Sequence, residues 1–368
     1  MVEGMLETAK KQRYACEEAL LRRLLEARGP GGQEDEVRAI CQEQLQHHCD
    51  DVWVDPAGNV IGVIHGVSRT SVEPGQGIAV LAHMDEIAMV VKRVEPDGTL
   101  HVVALGGANP VNFGMCPVDI LGDQEMISGV LSFGSMHETT GSIQGKDVVS
   151  GDVKWADVHV ITRRTPEALR AAGVRPGVRV VLSKHWRSPW RVNDALAAHF
   201  MDDRAPVAAV LQTAEMLAER RGDLAHTVFF VFTTLEEESN AGAAYACAKL
   251  GCDTAIAVEV GPVVAEYATE LSVNPIVNTG DQKGYYTRSV VLNLAQAAER
   301  CGLTPQFALL VDFASDASAV MGQGSVARSG CLAIPTENTH GYELVLDGAI
   351  NACADTLVSY LTSHTAAS

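Results

Sequence analysis

The chain has 368 residues, 47% of them apolar and 20% charged, which suits about two globular domains and excludes disorder along its whole length. Its 46 acidic residues exceed 28 basic ones, and the net charge of -18 disfavours nucleic acid as a partner. No run reaches the roughly 18 apolar residues of a membrane span, so no membrane partner is expected. Met1 to Arg13 is polar and lacks an apolar secretory core. The nine cysteines include no CxxC pair. A disulfide framework or thiolate zinc site is not expected, and reduced thiols in the cytoplasm are.

In chain order, residues 6–28 predict a helix with Leu20, Leu21, Leu24 and Leu25 on one side. Gly29-Pro30-Gly31-Gly32 stops it. A second helix is expected over 34–48, then strands over 52–54, 60–64 and 78–81. Turn signals separate them: Asp55-Pro56, Gly58-Asn59 and Pro74-Gly75. Alternating helices and buried apolar strands predict an α/β sheet with a parallel core. From 87 to 185 the texture turns strand-like, at 89–94, 100–104, 118–121, 129–133, 158–162 and 178–183, with one short helix at 166–172. This predicts a β-rich insertion. After Asp194 helices and strands alternate again: helix 205–220, strand 227–234, helix 241–250, strand 254–260, helix 289–301, strand 307–311 and a last helix over 344–362.

Five polar motifs fall after buried strands or at loop–helix junctions. Ala82-His83-Met84-Asp85-Glu86 follows an apolar strand, and in an extended chain His83 and Asp85 point the same way. A metal-bound imidazole usually needs a carboxylate or carbonyl to fix its ring, and Asp85 could serve His83 so. A plain surface turn fits as well. Asp202-Asp203 could cap a helix or bridge two ions. Glu236-Glu237-Glu238 follows the strand Val228-Phe229-Phe230-Val231-Phe232. Three carboxylates at the carboxyl end of a buried strand repel one another, and a metal would relieve that. A solvated acidic loop is the alternative. Glu259 ends the next apolar strand, and His340 lies in a polar loop. Each motif alone has a bland explanation. Together they supply the N and O donors for two divalent ions sharing a carboxylate, suited to zinc, cobalt or manganese. A spare glutamate beside a metal-binding one suits a general base acting on water.

At these residues the sequence resembles the tetrahedral (TET) dinuclear metallo-aminopeptidases, the glutamyl and deblocking aminopeptidases once called cellulase-like. The resemblance covers nearly the whole chain. It runs through Gly29 to Glu34, Asp55 to Asn59, Ala82 to Ile87, Asp152 to Asp157, and Thr165 to Gly177. It continues at Asp202-Asp203-Arg204, Glu236-Glu237 with Gly242-Ala243, Ser315-Asp316-Ala317, and Ile334-Pro335-Thr336 with His340. It implies a three-layer α/β/α catalytic domain of phosphorylase/hydrolase-like type, residues 1–86 plus 194–368. An inserted barrel-like oligomerisation domain would span 87–193.

The resemblance also implies His83, Asp202, Glu237, Glu259 and His340 as ligands of two ions per subunit, most simply zinc. Asp202 would bridge them, with a cis peptide to Asp203. Glu236 would be the general base, since the glutamate pair stands six and five residues before Gly242, and Asp85 would support His83. A hydroxide held between the ions would attack the peptide carbonyl. Dimers would build a hollow dodecamer that admits short peptides.

The chain departs from the family pattern in three places: Glu259 for aspartate, Ser239-Asn240-Ala241 for Gly-Leu-Arg, and Glu337 for arginine. In related dinuclear peptidases a glutamate at the Glu259 position accompanies carboxypeptidase or deacylase activity. A carboxypeptidase-like or N-acyl amidohydrolase is therefore the alternative to an aminopeptidase. A non-catalytic assembly protein would need a lost ligand or base, and none is lost. Aromatic residues are only 5% of the chain, which speaks against a glycosidase groove.

Overall fold

The computed structural model describes residues 18–66, 77–135 and 153–363. The first part of the helix expected over 6–28, the Pro74-Gly75 turn and Asp152 lie outside them. Residues 18–26 are helical and bury Leu21, Leu24 and Leu25. The next helix, Asp35–Gln46, lays Val37, Cys41 and Leu45 on the core at intervals of four residues.

The main sheet has nine strands. Its centre runs Thr227–Thr233, Gly77–His83, Thr254–Pro262, Arg328–Thr336, with every neighbouring pair parallel. Thr227–Thr233 and Gly77–His83 are buried at every position, as strands covered on both faces must be. Antiparallel strands finish both sides: Val60–Ile64 beyond Thr227–Thr233, and Ile276–Asp281 beyond Arg328–Thr336. Helices cover both faces. Met201–Ala218, Arg288–Arg300 and Ala349–Ser363 pack as one group, and Ala241–Leu250 with Asp316–Gly322 as another. This is the expected α/β/α architecture.

A closed six-stranded barrel is built from Ala88–Val94, Leu100–Leu105, His159–Ile161, Met126–Ser132, Pro117–Leu121 and Arg179–Leu182. Closure leaves no free edge. Its interior is apolar, with Val91, Val102, Val118, Ile120, Leu131, Val160 and Val180 all buried.

One expectation needs correction, and two strands were not anticipated. The final helix does not start at 344. Glu343–Leu346 is a strand, paired with Ala195–Ala198, and the helix is Ala349–Ser363. Gly348, at φ 85°, turns the chain between them. Strands Ile276–Asp281 and Arg328–Thr336 had no sequence signal. The first mixes Asn, Thr, Gly and Asp among its apolar residues, and the second contains Gly330 and Pro335. Among the described residues no helix is long and apolar enough to cross a membrane.

Candidate active site

The carboxyl ends of the parallel strands converge on one cleft of about 760 Å³. His83 ends strand Gly77–His83, and Glu259 lies within Thr254–Pro262. Glu236 and Glu237 open the short helix Glu236–Ser239, just beyond Thr227–Thr233. His340 follows Arg328–Thr336, and Asp202 opens the helix Met201–Ala218. Residues beside or within these loops take the left-handed region: Phe200 (φ 69°), Leu235 (57°), Asn240 (55°) and His340 (62°). Such backbone is uncommon outside glycine and clusters at functional sites. The Asp202–Asp203 peptide is cis, as the resemblance implies.

Asp202 stands between the two histidines. Its Oδ1 is 3.0 Å from His83 Nε2, and its Oδ2 is 3.4 Å from His340 Nε2. Glu259 Oε2 lies 3.8 Å from His83 Nε2, and Glu237 Oε1 lies 3.8 Å from His340 Nε2. Two donor groups result: His83, Asp202, Asp203 and Glu259, and then Asp202, Glu237 and His340. Asp202 belongs to both. All five expected ligands are brought together.

His83 Nδ1 donates to the backbone carbonyl of Asp85 (3.1 Å). With that proton committed, Nε2 meets Asp202 Oδ1 only as an imidazolium or with a cation between them. Asp85 acts differently from a simple carboxylate–histidine pair. Its carbonyl orients the ring, while its carboxylate accepts the N–H groups of Glu236 (2.9 Å) and Glu237 (3.0 Å). Oδ1 remains 3.6 Å from His83 Nδ1. Glu236 Oε2 is 3.9 Å from His83 Nε2, so it borders the donor groups without belonging to either. Glu238 is exposed on the cleft wall, where Gly31 makes room for it: a Cβ at Gly31 would meet Glu238 Oε2 at 2.7 Å.

The electrostatics are those of a crowded anionic site. Burial pushes Glu236 and Glu259 well above the usual carboxylate range. Asp316 and Glu237 add to the first, and Asp203 and Glu236 to the second, against the pull of His83. Burial and the Asp202 charge push Glu237 up to about 7. Burial would lower His340, but its bond to Asp202 and the charge of Glu237 raise it to about 10. Burial opposes ionisation of Asp202, yet the bonds from His340 and His83 hold it well below the usual range. Two buried carboxylate oxygens, Asp203 Oδ1 and Glu237 Oε1, accept no hydrogen bond. Carboxylates so placed need positive charge, and the available N and O donors suit divalent zinc, cobalt or manganese. The residues therefore fit a pair of such ions.

Three supporting groups receive no role from the sequence, although Glu86 and Asp316 lie in motifs already singled out. Glu343 is 1% exposed and accepts the N–H of His340 (2.9 Å) and of Asp202 (3.1 Å). Burial and the Asp202 charge push it up to about 8. Its signal was its place three residues after His340, just before the helix expected from 344. Glu86 is fully buried between Arg187 and Arg204, each within 2.5 Å. Asp316 accepts Thr233 Oγ1 (2.5 Å) beneath the site. Glu337, in contrast, lies outside the cleft lining and pairs its backbone with Leu344.

The sequence profile of the M42 glutamyl aminopeptidase family matches residues 58–355. The chain belongs to that family. It is thus a peptidase, and a hydrolase, by membership. SgcX of Escherichia coli K12 aligns at 25% identity over 240 residues, 65% of this chain and 61% of that protein. A TET aminopeptidase from the marine sediment archaeon Thaumarchaeota archaeon SCGC AB-539-E09 superposes with a TM-score of 0.83 at 21% identity. That match covers 95% of this chain and 97% of the other. The TET1 peptidase of Pyrococcus horikoshii, described as assembling into a tetrahedron or a large octahedral shell, superposes with a TM-score of 0.77 at 20% identity. It covers 90% and 95%. At these identities the structural likenesses establish the fold.

Proposed function

We propose that this member of the family is a dinuclear metallo-aminopeptidase that removes N-terminal residues from short peptides. The observation that carries the reading is Asp202, whose two oxygens face two different histidines and belong to two donor groups at once. One ion would be held by His83, Asp202 and Glu259, and the other by Asp202, Glu237 and His340. When bound, such ions lower the pKa of water and polarise a carbonyl. The chain's residues do the rest. Glu236, half-buried and raised in pKa, takes a proton from the attacking water at Oε2 and passes it to the departing amine. Asp85 holds Glu236 and Glu237 through their N–H groups and fixes the His83 ring through its carbonyl. The cleft walls position the peptide and restrict water around the reacting bond.

We further assign residues 87–193 to assembly. The barrel segment exposes Val111, Met115, Met126 and Val130, apolar surface of the kind that partner copies cover. The assembly of the Pyrococcus horikoshii peptidase supports a homo-oligomer here, to be read by light scattering. The eight cysteines of the described residues are unpaired, in keeping with a reducing cytoplasm.

Purified protein loaded separately with zinc, cobalt and manganese is tested against peptides with a free amino end and against N-acylated peptides with a free carboxyl end. Cleavage of the free-amine set, lost in Glu236→Gln, is the expected result. The second reading, a carboxypeptidase-like or N-acyl amidohydrolase, is favoured by Glu259 standing within 3.8 Å of His83 Nε2 where relatives usually carry aspartate. Cleavage of the acylated set alone would establish it in place of the first.

A further inference from the structure

Outside the donor groups, one side chain grips Glu236. Asn240 Nδ2 donates to Glu236 Oε1 at 2.8 Å and to Asp316 Oδ1 at 3.1 Å. A carboxamide nitrogen carries two hydrogens, so both bonds form together. The other Asp316 oxygen accepts Thr233 Oγ1. The chain of contacts therefore runs from the last residue of a central strand, through Asp316 and Asn240, to Glu236. None of it is loose: Thr233 is fully buried, Asp316 is 1% exposed and Asn240 5%. Asn240 closes the helix Glu236–Ser239 in a left-handed conformation, its N–H donating to Leu235 O at 2.9 Å. Asparagine is among the non-glycine residues that accept that backbone most readily.

We propose that Asn240 is a positioning residue for the proton-transfer step: by holding Oε1 of Glu236 and tying it to Asp316, it leaves Oε2 as the oxygen that faces His83 and the reacting water. The inference rests on the reading of Glu236 as general base. Asn240 neither gives nor takes a proton. It acts by fixing which carboxylate oxygen is free and where it points. A carboxylate released from this grip would be repelled by Asp316 and would swing, and misplacement of a base costs rate directly.

The test measures kcat, KM and metal content for the wild type, Asn240→Leu, Glu236→Gln and the double variant, on whichever peptide set is hydrolysed. Asn240→Leu is expected to lower kcat about 10- to 100-fold with KM and metal content held. In the Glu236→Gln background the same change is expected to cost nothing further, because no base remains to be positioned. A crystal structure of Asn240→Leu is expected to show the Glu236 carboxylate displaced from beside His83. An unchanged kcat, an equal loss in both backgrounds, a loss of metal, or an unmoved Glu236 would each overturn the inference. If Asn240→Leu folds poorly, Asn240→Ala is judged by the same criteria. A Glu236→Gln enzyme that keeps wild-type kcat overturns the base assignment instead, and the displacement of Glu236 in the crystal still decides whether Asn240 holds it.

Discussion

The Glu343 carboxylate ties together the two loops that carry Asp202 and His340, accepting one backbone N–H from each. Through these backbone bonds it sets the distance between the two expected ligands. Glu343→Gln leaves one acceptor and presents an amide NH₂ to the other N–H. Affinity for the divalent ion is expected to fall about 10- to 100-fold, as for other groups that orient ligands. Competition with a chromophoric chelator reads this, and unchanged affinity would remove Glu343 from the site.

Glu86 is the sole carboxylate within 2.5 Å of both Arg187 and Arg204 among the described residues, and all three side chains are fully buried. Arg187 also donates to Leu25 O and Ala27 O, and Arg204 to Leu24 O, so the trio joins the N-terminal helix, the His83 loop and the Asp202 loop. Glu86→Gln leaves two buried guanidinium groups undercompensated. A loss of about 3–5 kcal/mol in unfolding free energy is expected by urea titration.

His199 lies against Phe113, Phe200 and Tyr342. Burial lowers its pKa to about 4, with Arg187 adding to the effect against the Gly341 backbone bond. The folded state therefore favours the neutral ring. Between pH 6.5 and 4 the unfolded chain binds a proton that the folded one does not, so stability falls as pH falls through that window. The change is of order 3 kcal/mol. Melting temperatures of wild type and His199→Phe across that window check it, since the substitution is expected to flatten the slope.

Removal of metal should lower the melting temperature and addition of zinc should restore it, because the ions bind the folded arrangement alone. His340, raised to about 10, and Glu237, raised to about 7, hold protons in the ion-free chain. Loading must release them. Affinity is expected to rise with pH from 6 to 9, with proton release visible by calorimetry in buffers of different ionisation enthalpy. A pH-independent affinity would contradict the assigned ligands.

Gly242 packs so closely that a Cβ would stand 2.4 Å from Thr234 O and 2.5 Å from Asn59 Oδ1. Asn59 Nδ2 donates to Gly242 O and Asn59 Oδ1 accepts Thr234 N–H, so the contact locks the start of the helix Ala241–Leu250 to the strand before Glu236. Gly242→Ala is expected to cost about 1–3 kcal/mol by forcing these apart. Chemical denaturation measures it, and wild-type stability would show that the lock yields freely.

Much of this was legible in the residues. The apolar strands at 60–64, 78–81 and 227–234 announced themselves because both faces of a central strand must be apolar. His83, Glu236, Glu237 and Glu259 stood out only as a set at the ends of such strands, since each alone had a bland explanation, and their proposed roles came from the resemblance. The strand Arg328–Thr336 was not legible, since Gly330, Pro335 and small residues fill a buried strand without raising its β signal. Glu343 was not singled out, because it stands one residue before the helix expected from 344, and the strand that it opens reads as the start of that helix.

The sequence by itself determined the alternation of buried strands and helices and the β-rich texture of the insertion, because apolar periodicity is a local property, while the proposed donors were named only through the family resemblance. Only the tertiary structure decided which oxygen of Asp202 faces which histidine. It alone showed that Asp85 orients His83 through its carbonyl, and that Asn240 joins Glu236 to Asp316. Those are relations between segments far apart in the chain, and their hydrogen bonds exist only once the sheet has brought the strand ends together.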